Sequence, residues 1–226
     1  MNILLVGATG FVGGHLLRAL QQAGHSVIAT CRKPRSQGWP WVQWQALDLG
    51  RLAADPGCWV FPESVDLVIN AAGLLSVDAA ELSRVQDQGA RALFDLAAHH
   101  GVRVLQISAL GASAQSDVPF LASKGAADDY LLSLGVPAVV LRPSLVVGEG
   151  GASSAWLAGL SPWPLIPLLD LNAQLQPVHI DDLVGAVLAV LRQWPAESLV
   201  LPLVGPAPMR LAQVLDHLRV CLLYTS

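Results

Sequence analysis

Short apolar runs alternate with longer amphipathic stretches along most of this chain. The first apolar run, Ile3-Leu4-Leu5-Val6, begins almost at the first residue, and a helical pattern of apolar positions follows it and ends near Gly24. Later runs predict further strands at residues 26–30, 42–46, 65–69, 102–107 and 138–142. Because strands that alternate with helical crossovers pair in parallel, the pattern predicts an α/β fold with a doubly wound parallel sheet.

Further helices follow the later strands. Apolar positions at helical spacing predict them from about Asp78 to His99, from Pro119 to about Leu134, and in the segment that begins near Asp181. Either Asp181 or Asp182 is expected to cap the last of these helices, since a carboxylate accepts hydrogen bonds from the free N–H groups of a first turn.

The character of the chain changes at Gly148, where a glycine-rich loop leads into a Trp/Pro/Leu-rich segment at residues 156–171. We therefore divide the chain into residues 1–147, the α/β domain, and residues 148–219, a small and incomplete C-terminal substrate region that completes the fold. Residues 220–226 abandon the preceding amphipathic pattern and resemble translated adaptor sequence, so they are predicted to be a non-native tail.

Composition narrows the class of protein. The chain of 226 residues is 53% hydrophobic and 13% charged, which predicts a folded protein with a sizeable core. Its net charge of −4, without a basic stripe, argues against a nucleic-acid partner. Cys31, Cys58 and Cys221 are unpatterned and the histidines are scattered, so we expect a reduced, cytoplasmic setting and no metal. No apolar run is long enough to span a bilayer.

The segment with the clearest chemistry is the glycine-rich turn between the first strand and the first helix. There Gly7 permits a tight turn, Gly10 lets the backbone approach a pyrophosphate, and Gly13 allows the helix to pack closely on the strand. The helix N-terminus adds free N–H groups and a positive dipole end for the phosphates. A turn that keeps this shape without its ligand is the alternative. The residues predicted to contact a dinucleotide here are Gly7, Thr9, Gly10, Phe11, Val12 and Gly13.

A basic position follows the second strand, where dinucleotide-binding folds meet the adenosine ribose. An acidic residue there would bind the 2′-hydroxyl of NAD, whereas Arg32 or Arg35 could pair with the 2′-phosphate of NADP. A solvated basic turn is the other interpretation. The sequence therefore favours NADP(H) over NAD(H).

The turn sequence GATGFVGG resembles that of the short-chain dehydrogenase/reductase superfamily, in particular its extended and atypical branches. Residues 107–112, 123–124 and 142–146 are similar to the atypical branch related to the mitochondrial complex I accessory subunit, whose bacterial members often continue into a membrane-embedded, DoxX-like part. The resemblance implies a Rossmann fold and a nicotinamide cofactor, although Asp48 could equally be a simple turn residue. The further cofactor contacts that it implies are Asp48, Leu49, Asn70, Ala71, Ala72, Gly73, Lys124 and Pro143.

The resemblance also implies a catalytic set, from which this chain departs. In active members a serine polarises the substrate carbonyl, a tyrosine transfers the proton, and a lysine four residues later lies beside the phenol on the same helix face. Ser108 and Lys124 match this pattern, but Phe120 occupies the tyrosine position and has no proton to give. Tyr130 lies on another face of the helix. Proton transfer would then need water, a loop group such as Asp117, or the substrate.

Two functions therefore stay open. The first is an NADP(H)-dependent oxidoreductase that acts on a small or lipophilic carbonyl or quinone-type compound with a non-standard proton donor. The second is a catalytically impaired protein that binds the dinucleotide as a sensor or as an accessory subunit of a membrane complex. The resemblance leaves open a homodimer through the helices that start at Asp78 and Pro119, and membrane association through a missing C-terminal part.

Overall fold

The central element is a parallel sheet, as the sequence pattern predicts. The computed structural model describes residues 1–33, 42–151 and 174–214. Within them the strands, in chain order, are β1 (Asn2–Val6), β2 (Ser26–Cys31), β3 (Gln43–Ala46), β4 (Leu67–Asn70), β5 (Arg103–Ile107), β6 (Ala138–Pro143), β7 (Val146–Val147), β8 (Gln174–Leu175), β9 (Val178–His179), β10 (Leu199–Leu203) and β11 (Met209–Arg210). The large sheet has the order β10-β6-β5-β4-β1-β2-β3, and every neighbouring pair in it is parallel.

Helices cover both faces of this sheet. They are α1 (Phe11–Gln22), α2 (Leu49–Ala54), α3 (Ala79–Leu82), α4 (Gly89–His99), α5 (Pro119–Ser133) and α6 (Ile180–Arg192). A short 3₁₀ turn at Pro56–Cys58 follows α2, and a π-helical turn at Ser83–Gln88 joins α3 to α4. The helix predicted from Asp78 to His99 is thus present as three consecutive helical pieces. The predicted doubly wound α/β fold is confirmed.

The alternation of side chains along β1 explains the two-layered core. Ile3 and Leu5 pack into one cluster with the buried faces of α1 and α6, whereas Leu4 and Val6 pack into another with α2 and α4. All four side chains are almost inaccessible to solvent. A strand buried on both faces reads as a continuous apolar run, which is why the pattern located β1 so clearly.

The strand order reverses direction at β1, and this reversal positions the candidate site. The chain adds β2 and β3 on one side of β1, then crosses over to place β4, β5 and β6 on the other. In open α/β sheets the crevice at such a switch point, outside the carboxyl ends of the strands, is the usual ligand site. The turns that follow β1 and β4 border this crevice.

The region after residue 147 completes the sheet. Strand β10, which the sequence pattern did not predict, pairs with β6 from Leu199 to Leu203. Pro202 stands in the middle of β10, and proline is tolerated there because β10 is an edge strand. The expected cap of α6 was wrong, because α6 begins one residue before the aspartates. His179 is the N-cap, and its ring accepts a hydrogen bond from Asp181 N at 3.2 Å.

Some of the predicted features lie outside the described residues. These are Arg35, the Trp/Pro/Leu-rich segment at 156–171 and the tail at 220–226. Among the residues that are described, none belongs to a helix with the length and hydrophobicity needed to cross a membrane.

Candidate functional site

The glycine turn after β1 is built so that only glycine fits at two of its positions. Gly7 has a φ of +81°, and a Cβ there would lie 2.7 Å from Ala72 N. A Cβ at Gly13 would lie 2.1 Å from Gly7 O, so the first turn of α1 sits directly on the backbone of the turn. Both distances are far below van der Waals contact. Gly10 closes the turn by donating its N–H to Gly7 O at 2.9 Å.

The N-terminus of α1 is left open toward the crevice. Gly10 is the N-cap, so no side chain caps the helix, and the first turn carries no acidic residue. Its N–H groups and the positive end of the helix dipole are therefore not neutralised by an acidic side chain of the helix's own first turn. A hollow of about 460 Å³ lies against this turn, lined in part by Thr9, Phe11, Trp44 and Glu149. This arrangement suits a phosphate group.

The segment after β4 forms the opposite wall of the crevice, and Asn70 shapes it. Asn70 is only 2% exposed, and its Nδ2 donates to Gln106 Oε1 at 2.8 Å. Its Oδ1 accepts from Ala72 N at 3.2 Å, which fixes the bend of the backbone through Ala71. A Cβ at Gly73 would meet nothing within 4 Å, so the space above it is open. The buried side chain of Asn70 thus fixes the conformation of this wall, while the backbone that follows Asn70 faces the crevice.

The residues expected around the adenosine are spread over the turns after β2 and β3. Arg32 is exposed just beyond β2, and within the described residues it has neither a hydrogen-bond nor an ion-pair partner. Asp48 caps α2, because its Oδ1 accepts from Gly50 N at 2.9 Å and from Arg51 N at 3.3 Å. Leu49 is 6% exposed and packs in the core. The turn role that the sequence allowed for Asp48 is therefore present, and adenine contacts by Asp48 and Leu49 stay predictions.

Lys124 lies buried where α5 crosses the end of β5. Its Nζ donates to Ile107 O at 3.0 Å, and the residue is only 4% exposed. Gly125 permits this close packing, because a Cβ there would lie 2.3 Å from the backbone of Ser113. Burial lowers the pKa of Lys124 to about 8, and the nearby Asp128 carboxylate opposes part of that decrease.

Ser108 is bound to a buried carboxylate. Its Oγ donates to Asp128 Oδ2 at 2.7 Å, and Arg142 Nε donates to the same oxygen at 3.0 Å, while Arg142 Nη2 forms an ion pair with it at 3.0 Å. Asp128 is fully buried, and burial raises its pKa although Ser108 and Arg142 act in the opposite direction. The hydroxyl proton of Ser108 is thus committed to Asp128. Polarisation of a substrate carbonyl by Ser108, which stays a prediction, would require this hydrogen bond to break.

Phe120 lies next to the lysine, one helical turn earlier on α5. Lys124 Nζ is 5.8 Å from the centre of the Phe120 ring, within range of a cation–π contact. Tyr130 is directed elsewhere, since its hydroxyl donates to Asp95 Oδ1 at 2.6 Å near the surface. Asp117 is exposed in the turn before α5. The position beside the ammonium is therefore occupied by an apolar ring.

Polar residues that the sequence analysis missed support this site from inside. Asp128 and Arg142 anchor Ser108, and Gln106 anchors Asn70. Gln86, 4% exposed, reaches from the π-helical turn to Ser123 Oγ at 3.4 Å and accepts from Leu74 N at 3.4 Å. A usable signal existed only for Asp128, which stands four residues after Lys124 and hence on the same helix face.

Exposed apolar side chains stand in the segments that follow β4 and β5. Leu75 is 75% exposed and Val77 is fully exposed in the segment after β4. Leu110 follows β5 and is 43% exposed, and Val118, just before α5, is 51% exposed. Pro143 at the end of β6 is buried, and its carbonyl accepts from Leu110 N at 2.8 Å. The carboxyl edge of the sheet thus combines a polar interior with an apolar rim.

Together, the strand order, the glycine turn and the open helix N-terminus define a Rossmann-type α/β protein with a site suited to a dinucleotide. The profile of the NAD dependent epimerase/dehydratase family matches residues 3–200. The chain belongs to this family. The resemblance to extended and atypical short-chain dehydrogenases/reductases is thereby confirmed.

Curated relatives share a large part of this chain but are longer. The chain is 30% identical over 199 residues to a ceramide reductase of Caulobacter vibrioides, covering 84% of this chain and 61% of the relative. It is 28% identical over 198 residues to the mitochondrial NADH dehydrogenase [ubiquinone] 1 alpha subcomplex subunit 9 of Arabidopsis thaliana, covering 82% of this chain and 49% of the relative. The chain therefore spans less than two thirds of either protein.

Solved structures show the same fold at low sequence identity. MoeE5, in complex with UDP-glucuronic acid and NAD, superposes with a TM-score of 0.82 and 20% identity, covering 98% of this chain and 82% of MoeE5. A Thermus thermophilus UDP-glucose 4-epimerase in complex with NAD gives a TM-score of 0.73 and 20% identity, covering 97% and 83%. These likenesses establish the fold.

Proposed function

We propose that this chain is the dinucleotide-binding part of an NADP(H)-dependent oxidoreductase that acts on the carbonyl group of a small or lipophilic compound. The observation that carries the proposal is the position of the buried Lys124 ammonium, at the carboxyl end of β5, which lies in the same sheet as the glycine turn. A structural role alone would not require a cation there, because burying an ammonium group is costly.

The residues present fit a nicotinamide dinucleotide. The open N-terminus of α1 and the backbone at Gly10 would hold the pyrophosphate, and the Ala71–Gly73 backbone would border the middle of the molecule. Lys124 has two N–H groups beyond the one it donates to Ile107 O, and one of these would hold a nicotinamide ribose hydroxyl. When bound, the dinucleotide supplies or accepts a hydride at the carbonyl carbon of the substrate.

The preference for NADP(H) rests on Arg32. Its exposed guanidinium stands just beyond β2, where the ribose of a bound dinucleotide would lie, and the adjoining Lys33 is also exposed and basic. A guanidinium can bind a phosphate through two parallel hydrogen bonds, which makes it a strong partner for a 2′-phosphate.

The preference for a lipophilic substrate rests on the apolar rim of Leu75, Val77, Leu110 and Val118. Exposed apolar side chains grouped at a ligand crevice favour an apolar ligand. The name of the Caulobacter vibrioides relative, a ceramide reductase, is consistent with a lipid carbonyl as substrate.

A dinucleotide-binding accessory subunit is the second candidate. Phe120 favours it, because the side chain beside Lys124 has no titratable proton. The similarity to a subunit of the plant NADH dehydrogenase agrees with such a role. In that case the site would bind NADP(H) without turnover, and the protein would be a subunit of a larger membrane-associated assembly.

The two candidates are separated by turnover. Purified protein is incubated with NADPH and a panel of aldehydes, quinones and long-chain ketones while the absorbance of the reduced nicotinamide is followed. Turnover that is lost in Lys124→Ala but kept in Arg192→Ala, a change at an exposed basic residue at the end of α6, supports the oxidoreductase. Tight NADPH binding with no turnover, together with activity gained in Phe120→Tyr, supports the accessory subunit. Failure to bind either NADPH or NADH rules out both.

A further inference from the structure

The ammonium group of Lys124 lies next to the side chain of Phe120, where a proton donor is missing. Its Nζ lies beside the ring of Phe120, 5.8 Å from the ring centre, and the ring can donate nothing. Within the described part of the chain, Ile107 O takes one of the three N–H groups of this ammonium, which leaves two for a ligand or a water molecule. We propose that Lys124 itself delivers the proton to the oxygen of the substrate. This inference rests on the oxidoreductase function proposed above.

The surroundings of Lys124 control its charge. Asp128 stands one turn later on α5 and is the charge that raises the pKa of Lys124 against the effect of burial. Asp128 is held in turn by Arg142 of β6 and by Ser108 after β5. The result is a pKa of about 8 for Lys124, close to neutral pH, where general acids are most effective.

Other charges packed against α5 are engaged elsewhere. Arg91 of α4 pairs with Asp87 of the π-helical turn and contacts α5 at Ala126 O, at 3.3 Å, and at the Tyr130 ring, whose centre is 4.9 Å away. Asp95 of α4 accepts from Tyr130. None of these groups contributes to the pKa of Lys124, so Asp128 is the residue through which its acidity can be altered.

The proton transfer balances in the reductive direction. When bound, a reduced nicotinamide dinucleotide would supply the hydride for the carbonyl carbon of the substrate, and the electron pair of the C=O π bond would move to oxygen. An O–H bond then forms as an N–H bond of Lys124 breaks, directly or through one water molecule beside Phe120. Lys124 is left as a neutral amine, and solvent returns its proton before the next turnover.

The first test measures Lys124 without any substrate. Lys33 and Lys124 are the lysines of this chain, so uniform ¹³C-lysine labelling yields two resolvable Cε environments in an NMR titration of the full chain. We expect Lys124 to titrate near pH 8, while the exposed Lys33 serves as the internal reference. Asp128→Asn should move the Lys124 titration to lower pH, because the carboxylate that raises its pKa is gone. The proposal is overturned if the Lys124 Cε chemical shift shows that this amine stays protonated up to pH 10.

The second test measures how turnover depends on pH. The kcat/KM for NADPH-dependent reduction should fall as pH rises through about 8, because the reaction needs protonated Lys124. In Asp128→Asn this fall should occur at lower pH. A profile that is flat through this range in the wild-type chain overturns the proposal and points to water or Asp117 as the donor.

Substitution of Lys124 distinguishes its role as a proton donor from its role as a positive charge. Lys124→Arg keeps a cation and several N–H donors but does not give up a proton at these pH values. It should bind NADPH within a few-fold of the wild type and lose about 10²- to 10⁴-fold in kcat. Phe120→Tyr added to Lys124→Arg should restore much of the loss, since a phenol is then available. Full activity in Lys124→Arg overturns the proposal, whereas a wild-type chain that binds NADPH but reduces no carbonyl overturns the proposed function.

Discussion

At the scale of single residues, the site depends on ionisable groups that are buried yet partnered. Asp128 shares one oxygen between Ser108 and Arg142, while its Oδ1 has no hydrogen-bond partner among the described residues. Replacing either partner would leave a buried charge less well compensated, which typically destabilises a protein more than loss of an exposed ion pair. The arrangement favours a fixed geometry around Lys124 over maximal stability of the fold.

The buried Lys124 should make the stability of the ligand-free chain depend on pH. Folding lowers its pKa from 10.5 to about 8, so above pH 8 the unfolded chain binds more protons than the folded one. The free energy of unfolding should therefore rise between pH 8 and 10.5, by about 3 kcal/mol if Lys124 acts alone. Urea unfolding across this range should show the rise in the wild type but not in Lys124→Met.

The difference between the wild type and Lys124→Met excludes the contributions of the other titratable groups. Tyr130, whose pKa is raised by its hydrogen bond to Asp95, loses its proton in both proteins and cancels in the difference. Below pH 8 Lys124 is protonated in both the folded and the unfolded chain, so its contribution should be constant there. Parallel pH profiles for wild type and Lys124→Met above pH 8 would contradict the assigned pKa.

Arg32 should set the preference between the two dinucleotides. Loss of a charge-assisted contact to a 2′-phosphate costs about 1.5 to 3 kcal/mol, or about 10- to 100-fold in affinity. In Arg32→Ala we expect the Kd for NADPH to rise by that factor while the Kd for NADH stays nearly unchanged. Fluorescence titration with both nucleotides measures the two constants. An equal loss for NADH would mean that Arg32 contributes only to the general positive potential.

At the scale of elements, α1 contains two adjacent glycines that differ in the space available for a side chain. A Cβ at Gly13 would lie 2.1 Å from Gly7 O, whereas a Cβ at Gly14 would approach Ala8 O no closer than 3.8 Å. We expect Gly13→Ala to destabilise the fold by about 1 to 3 kcal/mol and to weaken dinucleotide binding, because α1 must move off the turn. Gly14→Ala should be neutral or stabilise by up to about 1 kcal/mol.

This pair tests whether close packing of α1 forms the binding turn. Thermal unfolding gives the stability of each variant, and NADPH titration gives its affinity. Since both variants add the same methyl group to the same helix, helix propensity affects them equally. Equal behaviour of the two variants would show that the contact between α1 and the turn does not shape the site.

Much of the architecture could be predicted from the sequence because its elements have strong local signals. Strands β1, β4 and β6 are mostly apolar runs. Gly7 and Gly13 reveal the turn because a positive φ at Gly7 and close packing at Gly13 leave no room for a side chain. The other features depend on contacts distant in sequence. Strand β10 contains Pro202 and is defined by its pairing with β6. The bond between Ser108 and Asp128 appears only when α5 packs over the end of β5.

At the scale of the whole molecule, the candidate site is assembled from segments far apart in the chain. The Gly7–Gly13 turn, the Asn70–Gly73 segment and Lys124 belong to the crossovers that follow β1, β4 and β5, and these three strands are neighbours in the sheet. A second and larger hollow, of about 850 Å³, lies at the opposite edge, where β1, β2 and β3 begin. It is lined in part by His25, Glu63 and Ser64. Size alone favours this hollow as the ligand site, whereas the glycine turn and the open N-terminus of α1 favour the carboxyl edge.

Hydrogen–deuterium exchange can decide between the two edges. A dinucleotide that spans the switch point should slow exchange in peptides covering residues 7–14, 70–74 and 107–112 together, because one ligand would cover the turns after β1, β4 and β5. Peptides that contain His25 or Ser64 should exchange at the same rate with and without NADPH. Protection confined to the amino edge would place the ligand in the larger hollow and remove Lys124 from the site. Protection at 7–14 alone would mean that the phosphates bind while the nicotinamide end does not reach Lys124.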